Sequence, residues 1–365
     1  MALSSNQLLH PSLIRDLLIE PNSQYHAGFA YYKIFGLPGV VDDASMIAAG
    51  RSVQAAGNPG LLAGKILIRN ERDVFGASSD AAMIAKPIGA PRDRVERHPM
   101  SEIEFSCRQF DGRTEEDIPF LDNGVQAREV LETQYMEVAA QSVHNKMEVF
   151  CRDFFQAQAA DAAQKKGGWT EIDWQNGLSG SSLNASTSTL ETLQKAINQM
   201  RLQAKQKINA IYIPQGIMEK LMTDDQVLGR QVVANTGVAG SGQSVASPEH
   251  VVAVLKEHMG FEDVVVAAGC YDNANSGQAS NSAYIWDGTK MWIGVSGDTQ
   301  MSFAGGQPRV IRNAGSFCGV YTKVMETASG PIEPNMPQKM EFIAESFFDA
   351  VALNPTKGAI LHNCV

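Results

Sequence analysis

Long apolar runs are missing from this sequence. No stretch of its 365 residues approaches the ~18 continuous apolar residues of a membrane-spanning helix, so no membrane association is expected. The segment from Met1 to Pro21 has no continuous apolar run and no basic residue before Arg15, which is not the pattern of a secretory signal or an anchor. Cysteine is sparse. Cys107, Cys151, Cys270, Cys318 and Cys364 are odd in number, widely separated and without a C-x-x-C pair. That argues against a disulfide framework or a zinc site and for free thiols in a reducing cytosol. Basic residues are outnumbered 30 to 40 by acidic ones, and a net charge of −10 should not draw the whole chain to nucleic acid.

Patterns that carry chemistry are missing too. No H-E-x-x-H, G-x-S-x-G or EF-hand pattern occurs. The stretch Gly237 to Gly242 lacks the G-x-G-x-x-G spacing, a strand before it and the Lys-Ser/Thr of a phosphate loop, so it reads as a flexible loop. Asp272 to Gly277 offers oxygens without the twelve-residue frame and terminal Glu of a calcium loop, and reads as a turn. His250 and His258 share one helical face with no partner four residues on, which suggests solvated or capping roles. Cys270 or Cys318 could act as a nucleophile only with a histidine close in space. Trp169, Trp174, Trp286, Trp292 and Tyr284 fall at turns and hairpins rather than among basic residues, the pattern of core and interface packing. No catalytic residue, cofactor or metal ligand is nominated, and an enzyme is not expected.

What is present is a folded chain. With 44% apolar and 19% charged residues it is too apolar for disorder, and its length fits two packed lobes. Residues 1–75 read as an arm of short segments: helical patches at Ser12–Leu18 and Gln24–Ile34, breaks at Pro21, Gly36 and Pro38, a turn at Gly57–Gly60 and a short strand at Lys65–Arg69. No compact domain is evident there, so the arm is expected to pack on something else. Residues 76–120 form a charged, proline-bearing excursion that resolves into the alternating stretch Ile103–Cys107. Loops of that length tend to be functional or to reach outward.

Val125 to Lys166 contains neither Gly nor Pro. Met136, Ala140, Val143, Met147, Phe150 and Phe154 recur at steps of three and four, which predicts one very long helix stopped at Gly167-Gly168. Beyond it, helices and strands alternate. Ser188 and Glu191 have capping-box spacing ahead of a helix to about Lys205, and Asn209–Ile213 reads as a buried strand followed by a helix through Leu221. Ser247 and Pro248 open a helix that Gly260 stops, and Val264–Val266 is a core strand. Ala283–Trp286 and Met291–Ile293 flank Asp287-Gly288 as a hairpin would. Glu341–Asn354 reads as a strand, with a last short one at Ala359–Leu361. The class is α+β.

In this order (arm, long charged loop, very long helix, compact α/β lobe) the elements resemble the major capsid proteins of tailed bacteriophages. Ile211-Tyr212-Ile213-Pro214 with its helix to Asp224-Asp225 resembles that family's axial-domain signature. The stretches Ser247–Trp286 and Phe347–Leu361 resemble the lambda-type major head protein subgroup. The likeness spans most of residues 76–365.

The resemblance implies an N-terminal arm at 1–75, an E-loop with its flanking strand at 76–120 and a peripheral domain with the spine helix at 121–208. It further implies an axial domain at 209–325 and a return to the peripheral domain at 326–365. Pentamers and hexamers of an icosahedral shell around double-stranded DNA are the implied function, without sequence-specific DNA binding. The virion is then the location, with assembly in the host cytoplasm, and scaffolding, portal and decoration proteins are the implied partners. Arg92, Arg94 and Arg97, with Asp93 and Glu96, would pair between subunits, and Lys86 lies in the loop from which some capsids of this fold cross-link. An encapsulin-like nanocompartment shell, another virion component such as a tail or decoration protein, and a cytosolic two-domain α/β enzyme are the alternatives.

Overall fold

A computed structural model describes residues 28–35, 63–68, 101–118, 121, 128–156, 168–174, 189–229, 245–272, 278–279, 281–297, 299–301, 309–313, 315–331 and 339–364. Their framework is one long helix, α2 (Arg128–Gln156), preceded by the short α1 (Tyr31–Phe35). At 1.5 Å per residue its 29 residues reach about 43 Å. The flanks of the predicted helix, 125–127 and 157–166, lie outside the described residues, as do Ser12–Leu18, the Gly237–Gly242 loop and the Asp272–Gly277 turn beyond Asp272. The predicted face is the buried one: Met136, Ala140, Val143, Met147 and Phe154 are in the core and Phe150 is half-buried.

That face lies against a five-stranded antiparallel sheet built from β3 (Arg108–Asp117), β10 (Thr299–Met301), β11 (Arg309–Asn313), β12 (Phe317–Pro331) and β13 (Lys339–Ala352), in the order β10-β11-β12-β13-β3. Along β13 the two-residue alternation is plain. Met340, Phe342, Ala344, Ser346 and Phe348 point inward, with Glu341, Ile343, Glu345 and Phe347 half-exposed between them. Fourteen residues carry this strand about 46 Å, so helix and strand run alongside each other for most of their length.

The other lobe is a mixed sheet with order β4-β14-β9-β5-β6. Its strands are β4 (Thr170–Asp173), β5 (Ala210–Pro214), β6 (Asp263–Ala267), β9 (Met291–Gly294) and β14 (Gly358–His362), and β4·β14 and β5·β6 are its parallel pairs. Helices α3 (Thr189–Ala204), α4 (Gln215–Thr223), α5 (Asp225–Leu228) and α6 (Pro248–Met259) share a second core with it, around Leu193, Ile213, Leu221 and Leu255. Helix α6 has the ends its sequence prescribes. The Ser247 hydroxyl accepts from the His250 N–H at 3.2 Å, Pro248 occupies the first turn and Gly260 closes the helix at φ 76°.

Three expectations need correction. The first concerns the Asp287-Gly288 hairpin, which does not form. β8 (Ser282–Tyr284) pairs with β7 (Cys270–Asp272), while β9 pairs with β5 and β14. Ile285 and Trp286 turn inward and are buried, and the Asp287 carboxylate accepts from the N–H and hydroxyl of Thr289, closing a local turn instead of a two-strand ladder. Of the two roles expected for His250 the solvated one does not hold; its ring is buried and its Nε2 meets the Val227 carbonyl in the last turn of α5 at 3.1 Å, a capping contact. Finally, residues 28–35 of the arm do not pack elsewhere. Phe29, Tyr31, Ile34 and Phe35 are buried in the chain's own largest core.

Gly112 of β3 sets how closely α2 can approach. A Cβ built there would land on the Ala139 carbonyl of the helix, with Ser142 crowding from the next turn. Gly112→Ala should therefore push α2 off the sheet and lower unfolding free energy by about 3 kcal/mol, measured by chemical denaturation of the full chain. An unchanged midpoint would show that the helix can shift at no cost.

Candidate functional site

Two features stand out when polar groups are traced through the described core. The first is on α2. Glu148 is fully buried, one position on from the apolar Met147 and between His144 and Cys151. Its carboxylate accepts from the Ala30 N–H at 3.0 Å, from the Tyr31 N–H at 2.8 Å and from the Trp286 indole N–H at 2.6 Å. The Tyr31 hydroxyl is hydrogen-bonded to His144 Nδ1, one turn earlier on the helix, and the two rings are stacked. Burial pushes the Glu148 carboxyl above the usual range; its N–H donors and the charge of Lys33 pull it back only in part. The hydroxyl of Tyr31 is driven well up by the same burial, and so is the Cys151 thiol.

The second feature is the root of a hairpin. β1 (Ala63–Ile68) and β2 (Ser101–Ser106) pair antiparallel from Ala63↔Ser106 to Ile68↔Ser101. Residues 69–100 connect them, and the nominated inter-subunit residues Lys86, Arg92, Asp93, Arg94, Glu96 and Arg97 belong to this connection. They lie outside the described residues. On the stem, exposed Lys65 is paired to Glu102 at 2.8 Å. At its base Phe105 is buried with Cys318, Val320 and Val351, and the Ser106 N–H donates to the buried carboxylate of Asp349 at 2.7 Å.

Burial, then the charge of Asp349, pushes the Cys318 thiol up to about 12, so it stays protonated and is no nucleophile; the Cys364 thiol is likewise pushed up to about 12 by burial. All five cysteines are free, with Cys270 exposed. Among the described residues no group of three or more His, Cys, Asp or Glu could hold a metal ion, and no helix is long and apolar enough to cross a membrane. A cleft of about 300 Å³ opens beside the end of α2, but its two cations already face carboxylates: Arg152 lies 2.7 Å from Asp153, and Lys290 is 3.3 Å from Asp287.

Sequence reasoning missed both Glu148 and Asp349. Each does leave a signal, a lone carboxylate inside an apolar pattern: Met147-Glu148 beside the helix stripe, and Phe348-Asp349-Ala350-Val351 within a strand.

No protein-family model matches the chain, and no curated protein matches it by sequence. Solved structures do match. A phage-related protein from Bordetella bronchiseptica RB50 superposes with a TM-score of 0.55 at 12% identity, covering 98% of this chain and 97% of that one. That likeness shows a shared α+β fold over nearly the whole length of both. The capsid of Myoviridae phage XM1 superposes at 0.44 with 10% identity, over 85% of this chain and 90% of that one. A virus-like particle from Pyrococcus furiosus superposes at 0.43 with 11% identity, over 87% and 95%.

Removing the acceptor at Glu148 would leave three buried N–H donors unpaired. Glu148→Leu should lower unfolding free energy by roughly 3–5 kcal/mol, read by denaturant titration. The titration of Glu148 also has a sign. Its folded value is raised, so its contribution to stability is fully present below the unfolded value of about 4.3 and is lost as pH rises through the folded value. Compared with the non-titrating Glu148→Gln variant, wild-type stability should fall as pH rises above the unfolded value. A difference that grows with pH would mean that the N–H donors outweigh burial.

Proposed function

We propose that this chain is the major capsid (head) protein of a tailed bacteriophage, assembling through pentamers and hexamers into an icosahedral shell around packaged double-stranded DNA. The observation that carries this reading is the architecture: a long helix laid along a long sheet, a two-stranded hairpin stem leaving that sheet and a second α/β lobe. The full-length fold likeness to a phage-related protein supports it.

In this reading residues 1–75 are the arm, with Phe29–Phe35 as its fixed inner end, and 76–120 hold the outer loop and its flanking strand. Residues 121–208 and 326–365 make the peripheral domain, and 209–325 the axial one that gathers at five- and six-fold positions. Closed shells form by heterologous contacts that are weak singly and multiplied over many copies. Arg92, Arg94 and Arg97 would pair with Asp93 and Glu96 of neighbours. Each exposed pair is worth only ~0–1 kcal/mol, so such contacts set register more than strength. Lys86 shares that loop. Scaffolding, portal and decoration proteins are the expected partners, and no catalytic role is assigned. The net charge of −10 suits a wall that encloses DNA without gripping it.

Negative-stain microscopy of the purified full-length protein, with size-exclusion chromatography, tests the reading. Closed shells, tubes, or rings of five and six subunits are expected. A protein that stays monomeric or dimeric, even with a scaffolding partner, would rule it out.

A further inference from the structure

The point where the hairpin leaves the sheet is built differently from the rest of the ladder. β3 and β13 pair in continuous register from Lys339↔Asp117 to Phe348↔Arg108. One residue further the two chains part, as Cys107 interrupts the strand and β2 turns away into the hairpin. There the side chain of Asp349 replaces the missing ladder: its Oδ2 accepts from the Ser106 N–H, two residues beyond the ladder, at 2.7 Å. On its other side the Asp349 backbone still pairs with Val320 of β12, so the carboxylate is held by the sheet it extends. Phe105, buried against Cys318, Val320 and Val351, is the apolar half of the same joint, and the Cys107 thiol reaches the Val320 carbonyl at 3.7 Å. Past Phe105, Glu102 and Glu104 are exposed and both lie within 4 Å of Lys65.

A buried carboxylate is an expensive choice in a strand that Val or Thr would fill without desolvating a charge. Its return is directional, because a hydrogen bond to one N–H fixes orientation where an apolar contact alone allows sliding. We infer that Asp349 is a positioning residue: it fixes the direction in which the β1–β2 hairpin leaves the subunit, and so selects the curvature at which a second copy of this chain is engaged. The curvature half rests on the shell reading above; the joint itself does not.

The test uses full-length wild type, Asp349→Ala and Asp349→Asn. Hydrogen–deuterium exchange on unassembled subunits reads the joint, and particle diameters by electron microscopy read the curvature. Asp349→Ala should speed exchange of residues 101–106 about tenfold, leave 210–214 unchanged, and turn one shell diameter into several or into tubes. Asp349→Asn, whose amide oxygen can accept the same bond, should restore both. If Asp349→Ala does not fold, Asp349→Val fills the space without an acceptor and should behave as Asp349→Ala does. Unchanged exchange at 101–106 overturns the joint, and an unchanged diameter distribution overturns its role in curvature. A wild type that forms no particles sinks the shell reading and the curvature role with it, while the exchange result still decides the joint.

Discussion

A carboxylate with no water around it must find its donors inside the protein, and Glu148 finds them in two segments more than a hundred residues away in sequence. Ala30 and Tyr31 supply backbone N–H groups from α1, and Trp286 supplies its indole from the turn before β9. Because these donors must converge on one point of α2, the early segment and the second lobe are both registered against the second half of the same helix. Apolar contact then fills in around that point. About two turns further on, the Phe155 ring lies within about 5 Å of Tyr212, Trp292 and Phe317, and within 6 Å of Phe35, so four separate parts of the chain meet at a single side chain. The helix is long because it has two jobs. Its first half covers the β3·β13 ladder, where Gly112 removes the Cβ that would hold it away, and its second half carries the aromatic junction between the lobes.

Much of this could be read from the residues, and the parts that could not share a cause. The helix stripe from Met136 to Phe154, the Ser247–Gly260 caps, the buried strand before Pro214 and the closing pair of strands are local patterns; their period, cap or breaker is written in neighbouring residues. The Asp287-Gly288 hairpin failed because its local signal is outvoted. Trp286 is drawn inward by Glu148, 138 residues earlier, and β9 is claimed by β5 and β14 on either side. Phe29–Phe35, set between breaks at Pro21 and Gly36, looked homeless because the partner that makes it a core element is a carboxylate in the second half of a distant helix. Long-range hydrogen bonds have no period. They appear in sequence only as exceptions, a single Glu or Asp where the pattern asks for an apolar residue, and without the fold such an exception cannot be told from a surface position.

The nominated inter-subunit residues illustrate a different limit. Lys86, Arg92, Asp93, Arg94, Glu96 and Arg97 belong to the connection between β1 and β2, outside the described residues, and a single chain offers them no neighbour to meet. What a single subunit does fix is the base of that connection. The cross-strand register of the stem is continuous, its outward side chains pair with one another, and its foot is seated by Phe105 and Asp349.

Stability and projection are thus separated along the chain. The energy of folding is concentrated where aromatic rings and aliphatic side chains are fully removed from water, around Phe155 and in the second core beneath α3 and α6. The hairpin draws little on either. Lys65, Glu102 and Glu104 of the stem are exposed, and by itself a two-stranded ribbon is marginal in water. Such an element keeps a definite direction only if its foot is fixed by something stiffer than apolar contact, and keeps a definite length only if its tip finds a partner. A subunit built this way can be stable on its own while leaving the geometry of contact to a few polar atoms. In the proposed shell, that division lets many identical copies meet through weak, repeated bonds without any copy depending on them to stay folded.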